Sequence, residues 1–201
     1  FYLLVVSSFL YFFLSKFTFE ELTSYEFIKN NRDYFFEIKQ ANLFLTSLVF
    51  LIFTIVWVVM AGFGLPIALL AGFIFGKFLG IFLLTIGMSI GATILYMLGN
   101  YFFKEIIKEN FLNKFKNLEI KFKKSEFIYL FIYRFVGGIP FALSNVLPCI
   151  FNVKVTNFFL ATLIGITPQL FLIVSIGSGL EKVIEQNLEA PRIKDLIYSP
   201  D

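Results

Sequence analysis

Charged residues in this chain fall in clusters, and the stretches between the clusters are long and apolar. Gln40 to Gly76 contains no charge in 37 residues and Phe78 to Phe103 none in 26. Phe127 to Val153 holds only Arg134 in 27 residues, and Val155 to Leu180 has no charge in 26. A helix needs about 20 apolar residues to cross a hydrocarbon core about 30 Å thick, and none of these runs alternates as the strands of a membrane barrel do. The pattern predicts an all-α integral membrane protein, a polytopic helical bundle.

Two of the runs do not divide into whole spans. The first, 40–76, has a helical length of about 55 Å, too long for one crossing and short for two with a turn. Gly62, Gly64 and Pro66 mark its break. The economical reading is a full span from about Leu43 to Ala61 and a half-helix from about Pro66 to Gly76, with Pro66 in the first turn, where its missing N–H costs nothing. Phe127 to Val153 is interrupted by Arg134, Gly137, Gly138, Pro140, Asn145 and Pro148. Here the prediction is a second broken, re-entrant hairpin. The glycines recurring every four residues at Gly72, Gly76 and Gly80, and again at Gly87 and Gly91, read as faces on which helix backbones approach closely.

The two interruptions resemble each other. GLPIAL at 64–69 and GIPFAL at 138–143 share four of six residues, Phe75-Gly76 lies just before Lys77 as Phe151-Asn152 lies before Lys154, and FLLT at 82–85 echoes FLAT at 159–162. This predicts an internal repeat, with one unit over about 43–103 and the other over about 127–180. Paired Gly/Pro-interrupted segments are the pattern of transporter folds, in which the broken segments meet near the bilayer midplane. Their unpaired backbone groups must be buried in protein or face a wet cavity, so the two proline segments are expected to face each other.

Charge then orients the chain. Lys16 to Lys39 carries four positive and five negative residues, whereas Lys104 to Glu126 carries seven lysines and four glutamates. Phe103, Ile107, Phe111, Phe115, Leu118 and Phe122 share one helical face through the latter, so 104–126 reads as a basic amphipathic connector at the headgroups, on the cytoplasmic side by the positive-inside rule. Residues 1–42 are then an N-terminal membrane segment and an outward connector, with weak capping-box spacings at Thr18/Glu21 and Thr23/Glu26. The chain opens on Phe1, so 1–15 reads as the end of a longer span or a signal anchor. Residues 181–201 read as a charged tail.

Composition removes most chemistry. Hydrophobic residues are 58% of 201, there is no histidine, and Cys149 is the one cysteine. An intramolecular disulfide, a Cys/His zinc site and a Ser-His-Asp triad are therefore excluded. No nucleophile, base and orienting group occur together, so the chain is not expected to be an enzyme, and no cofactor, metal or nucleic-acid partner is implied. No aspartate or glutamate lies in any predicted span, which disfavours coupling through an intramembrane carboxylate. Arg134, eight residues beyond Glu126, costs roughly 2.5–3.5 kcal/mol at mid-membrane. Its fork suits the phosphate of a lipid, and the competing reading is snorkelling to the interface. Asn145 suits an exposed carbonyl or a substrate, while Lys77 and Lys154 suit snorkelling at element boundaries. The candidate pathway residues are Arg134, Gly137, Gly138, Pro140, Asn145 and Pro148 in one hairpin and Pro66, Gly72 and Gly76 in the other.

These residues resemble the VTT-domain family, the SNARE-associated Golgi protein or DedA-like superfamily, especially its bacterial branch. The resemblance covers about 43–180. It rests on AGFIFG at 71–76, Gly80, GAT with Tyr96 and Gly99, Arg134 with Pro140-Phe141, Asn145 with Pro148, FFLATLIGITP at 158–168 and GSGL at 177–180. Gly137 stands where the family commonly has the first proline of a Pro-x-x-Pro pattern, and Gln169 where glycine is usual. The resemblance implies two re-entrant hairpins and movement of phospholipid or polyprenyl phosphate between leaflets of a bacterial inner membrane. Its partners would then be membrane lipids. An ion- or proton-linked solute carrier and a non-transporting assembly scaffold are the alternatives.

Overall fold

The computed structural model describes residues 42–107 and 122–185, with positions 8, 11, 37 and 120 besides. The expectations for 1–41, for most of the amphipathic connector and for the tail beyond Glu185 lie outside the described residues. Within them all regular structure is helical: α1 (Leu43–Val59), α2 (Gly64–Ile107), α3 (Glu126–Val136), α4 (Phe141–Val146), a 3-10 segment (Leu147–Phe151), α5 (Val155–Gly165) and α6 (Thr167–Glu185).

Helix α1 starts where Asn42 Oδ1 accepts the Leu45 N–H at 3.2 Å, a side-chain N-cap. It ends at a tight corner, with Ala61 at φ +59° and the Trp57 indole donating to the Phe63 carbonyl at 2.8 Å. That is within two residues of the break expected from Gly62 and Gly64.

Helix α2 is not one rod. Gly76 has φ +71° and ψ −175°, a region essentially restricted to glycine, and it divides α2 into arms 64–75 and 77–107. The arms fold back on each other. A Cβ at Gly80 would lie 2.6 Å from the Ala71 carbonyl oxygen, and one at Gly64 would lie 3.4 Å from Met88 Cε. In a straight helix residues 71 and 80 would be about 13 Å apart, so the chain reverses at Gly76. This corrects the reading of Gly72, Gly76 and Gly80 as one face: Gly72 and Gly80 sit on opposite arms. Gly87 and Gly91 do form a packing face, receiving Thr54 and Val58 of α1.

The chain reverses a second time after the 3-10 segment, where Asn152 has φ +44°. Each reversing segment packs on the long helix of the other half. A Cβ at Gly72 would run into the Val174 carbonyl of α6, and one at Gly177 into the Leu69 carbonyl of the first arm of α2. On the other side the Tyr96 hydroxyl, from the second arm, donates to the Val153 carbonyl at 2.7 Å, and Asn100 Nδ2 donates to Asn152 Oδ1 at 3.2 Å. Small residues let each segment seat on the opposite half's helix, where its backbone is covered by protein.

The last apolar run, 155–180, holds two helices rather than one. α5 and α6 meet at Ile166 with a 42° bend. Pro168 supplies no N–H and crowds the carbonyl four residues back, and Gly165 ends α5 beside it. By length and composition α2 (64–102) alone among the described helices is long and apolar enough to cross a membrane, and with the reversal at Gly76 it is the arm after Gly76 that can do so; the bent α5–α6 pair is a second if it acts as one span.

Candidate functional site

Helix α3 ends abruptly because Gly137 and Gly138 have φ of +68° and +83°, backbone that only glycine adopts readily. Pro140 then precedes α4, its carbonyl accepting the Ser144 N–H at 2.9 Å. Arg134 falls in the last turn of α3, where the helix dipole favours a cation.

The Arg134 side chain is 4% exposed and is held by three neutral acceptors. Its Nε donates to Thr162 Oγ1 of α5 at 3.1 Å, one terminal nitrogen to Ser144 Oγ at 2.6 Å, and the other to Asn145 Oδ1 at 2.8 Å. Ser144 in turn donates its hydroxyl to the Phe141 carbonyl at 2.7 Å, which leaves its lone pairs to Arg134. The guanidinium also lies 4.9 Å from the Phe158 ring centroid and 5.6 Å from that of Phe141, within cation–π range. Gly165 makes the geometry possible: a Cβ there would meet the Cβ of Arg134 and the Phe131 carbonyl, so only glycine lets α5 bring Thr162 this close.

Among the described residues no carboxylate forms an ion pair with Arg134, whose three bonds use three of its five N–H groups. Asn145 is fully buried, and its Nδ2 has no acceptor among them. The site thus has a buried positive charge and an excess of donors. That is the electrostatics of an anion site.

Arg134 forms the floor of a crevice of about 100 Å³ lined also by Gly137, Gly138, Ser144, Ile166 and Gln169. This is room for about three waters, enough for the head of an anion but not for a whole lipid. Gln169, from α6, closes one side. Its amide donates to the carbonyls of Arg134 at 2.9 Å and Phe135 at 2.7 Å, satisfying groups that the end of α3 leaves open.

Of the residues singled out in the sequence, Arg134, Gly137, Gly138 and Asn145 come together here. Pro140 is exposed at the start of α4 and Pro148 is buried in the 3-10 segment. Pro66, Gly72 and Gly76 lie in the other reversing segment, away from this crevice. Ser144, Thr162 and Gln169 were not singled out for Arg134. The available signal was polar residues within otherwise apolar runs, which does not say whom they meet.

Glu126 was read as the last charge of the basic amphipathic connector, and the structure places it inside the protein. It is 6% exposed, and its two oxygens accept the Lys154 N–H at 3.1 Å and Asn157 Nδ2 at 2.5 Å. The carboxylate thereby caps α5, whose N-cap Lys154 has no side-chain acceptor of its own.

Residues 62–179 match the VTT domain. The chain belongs to the VTT-domain family. It is 25% identical over 136 residues to a protein described as a transmembrane protein 41 homolog in Caenorhabditis elegans, covering 64% of this chain and 55% of that one. It is 29% identical over 115 residues to the uncharacterized protein YqeD of Bacillus subtilis (strain 168), covering 56% of this chain and 55% of that one. The chain thus spans about half the length of the curated relatives it matches. No solved structure matches. As a VTT-domain protein it is a membrane protein, and the Arg134 crevice and both reversing segments fall inside the matched region.

Proposed function

We propose that this VTT-domain protein moves a phosphate-bearing lipid, a phospholipid or a polyprenyl phosphate, between leaflets, with Arg134 as the cation its headgroup meets. The observation that carries the reading is a buried guanidinium held by neutral side chains, with unused donors, at the floor of a crevice. A buried cation is costly unless compensated, and a passing anionic headgroup supplies the counter-charge that no carboxylate among the described residues does.

The reading treats the two reversals as re-entrant hairpins related by an internal repeat. Their supporting features correspond: proline near the start of each, a positive φ at Gly76 and at Asn152, and an apolar helix after each. Their contacts correspond as well. Gly72 approaches the Val174 carbonyl, while Cys149 Sγ lies 3.4 Å from the Tyr96 carbonyl, each hairpin meeting the other half's helix. In this arrangement the hairpins bound the pathway, the setting is the bacterial inner membrane, and 104–126 lies on the cytoplasmic side.

Reconstitution into vesicles with a fluorescent phospholipid tests it. Asn145→Asp is the informative variant because it keeps the acceptor for Arg134 while placing a carboxylate against the guanidinium, so it spares the fold and removes the free charge. Leaflet exchange is expected to fall at least tenfold in Asn145→Asp and in Arg134→Gln. Wild-type exchange in a folded Asn145→Asp protein overturns the role of Arg134, and solute flux indifferent to lipid favours the carrier alternative.

A further inference from the structure

A second polar cavity, of about 460 Å³, opens where α3 and α5 begin, and it falls within the roughly 300–1,000 Å³ of small-molecule sites. Lys123, Lys124 and Lys154 contribute three ammonium groups, Asn157 an amide, and Glu126 the single carboxylate among the lining residues. Glu126 is turned inward, and its oxygens are taken by the Lys154 N–H and Asn157. Its charge serves the protein, so the face presented outward is positive.

Lys123 is fixed in place. It donates to the Asn152 carbonyl at 2.6 Å and lies 3.7 Å from Glu126, tying the connector to the second reversal. Lys124 and Lys154 are exposed, and their ammonium groups bond none of the other described residues.

The chemistry of the surroundings selects an amphiphile. Ile128, at the rim of this cavity, begins an exposed stripe on α3 that continues through Ile132 and Phe135 at helical spacing. A basic pocket at the head of an exposed apolar stripe fits a negatively charged headgroup with a hydrocarbon chain, whereas a free anion would leave the stripe uncovered. Basic groups at the membrane surface attract anionic lipid by an amount that corresponds to about fivefold in affinity per lysine.

We infer that Lys123, Lys124, Lys154 and Asn157 form an interfacial site for the phosphate headgroup of an anionic phospholipid, with an acyl chain along Ile128 and Ile132. The site is separate from the Arg134 crevice. Its occupant bridges the connector and the second reversal, holding them at the surface rather than passing between leaflets.

Native mass spectrometry of the full chain, titrated with phosphatidylglycerol or phosphatidylcholine, tests this. Wild type should retain one phosphatidylglycerol preferentially. Changing Lys123, Lys124 and Lys154 together to Gln should weaken it roughly a hundredfold, and Lys124→Gln with Lys154→Gln, which leaves the Lys123 contacts intact, roughly twenty-fivefold. Asn145→Asp should retain it at the wild-type level. Unchanged phosphatidylglycerol affinity in both lysine variants overturns the inference, as does an equal loss of phosphatidylcholine. Displacement of the lipid by millimolar inorganic phosphate assigns the pocket to a free anion and also overturns it. Loss of retention in Asn145→Asp removes the claim of a separate site, independently of whether lipid exchange depends on Arg134.

Discussion

Gly137 lies directly under the side chain of Gln169: a Cβ at 137 would stand 2.7 Å from the Gln169 Nε2 that caps the Arg134 and Phe135 carbonyls. The two positions at which this chain departs from the pattern of the family it resembles are thus in contact. Proline, the residue commonly found at the first position, cannot adopt the φ of +68° seen at Gly137, and glycine at 169 would leave the two carbonyls without their donor. The departures form one local solution.

That contact predicts non-additivity. Gln169→Ala should destabilise by about 2 kcal/mol through the uncapped carbonyls, and Gly137→Ala by a similar amount through crowding and backbone strain. Together they should cost about 1 kcal/mol less than the sum of the two, because the crowding disappears with the glutamine while the strain stays. Thermal unfolding of the purified protein provides the cycle, and additivity within about 0.5 kcal/mol would show that the two sites act independently.

Arg134→Lys should be tolerated poorly although it keeps the charge. A lysine ammonium has no planar fork with which to reach Thr162, Ser144 and Asn145 together. It should leave at least one buried oxygen without its donor, at a cost of about 1–3 kcal/mol. A variant as stable as wild type in chemical or thermal unfolding would mean that the three hydrogen bonds are not a structural unit.

Gly76→Ala isolates backbone strain, since no atom lies within 4 Å of a Cβ placed there. The φ and ψ alone should cost about 1–3 kcal/mol, and Gly76→Asn should bring no rescue because ψ is −175°, outside the left-handed helical region that asparagine tolerates. Unfolding of the two variants side by side checks this. Equal stability of wild type and Gly76→Ala would refute the chain reversal at this residue.

Tyr96→Phe removes one hydroxyl, the donor to the Val153 carbonyl at 2.7 Å, and keeps the ring stacked on Phe158 at 4.5 Å. Val153 is buried, so about 1–2 kcal/mol of destabilisation is the expected result. Hydrogen exchange should localise the loosening to amides around 149–155. Protection unchanged there, with stability lost elsewhere, would contradict the role assigned to Tyr96 in seating the second reversal.

Much of the architecture is local and could be read along the chain. Apolar runs of fixed length give helices. Gly62, Gly64 and Pro66 mark one break and Gly137, Gly138 and Pro140 another, because missing Cβ atoms and a missing N–H act within a residue or two of where they stand. The likeness of GLPIAL and GIPFAL, and the family it belongs to, were legible for the same reason. So was Arg134 as an anomaly, since a charge in an apolar run is conspicuous whatever surrounds it.

What the sequence could not decide is who meets whom. Arg134 and Thr162 are 28 positions apart, and Gln169 reaches Arg134 across 35; neither spacing carries a periodic signal. Glu126 read as one more charge of the amphipathic connector because its own segment is charged, yet α5 arrives from elsewhere with an uncapped N-terminus that needs its oxygens. The three glycines at 72, 76 and 80 looked like one face until the backbone at Gly76 reversed and put Gly72 on α6. The sequence by itself determined a membrane-embedded set of helices interrupted at two glycine- and proline-marked places. Only tertiary structure decided that each interrupted segment seats on the other half's helix and that Arg134 is held by neutral oxygens, because hydrogen-bond partners and close backbone approaches are fixed by packing between distant segments.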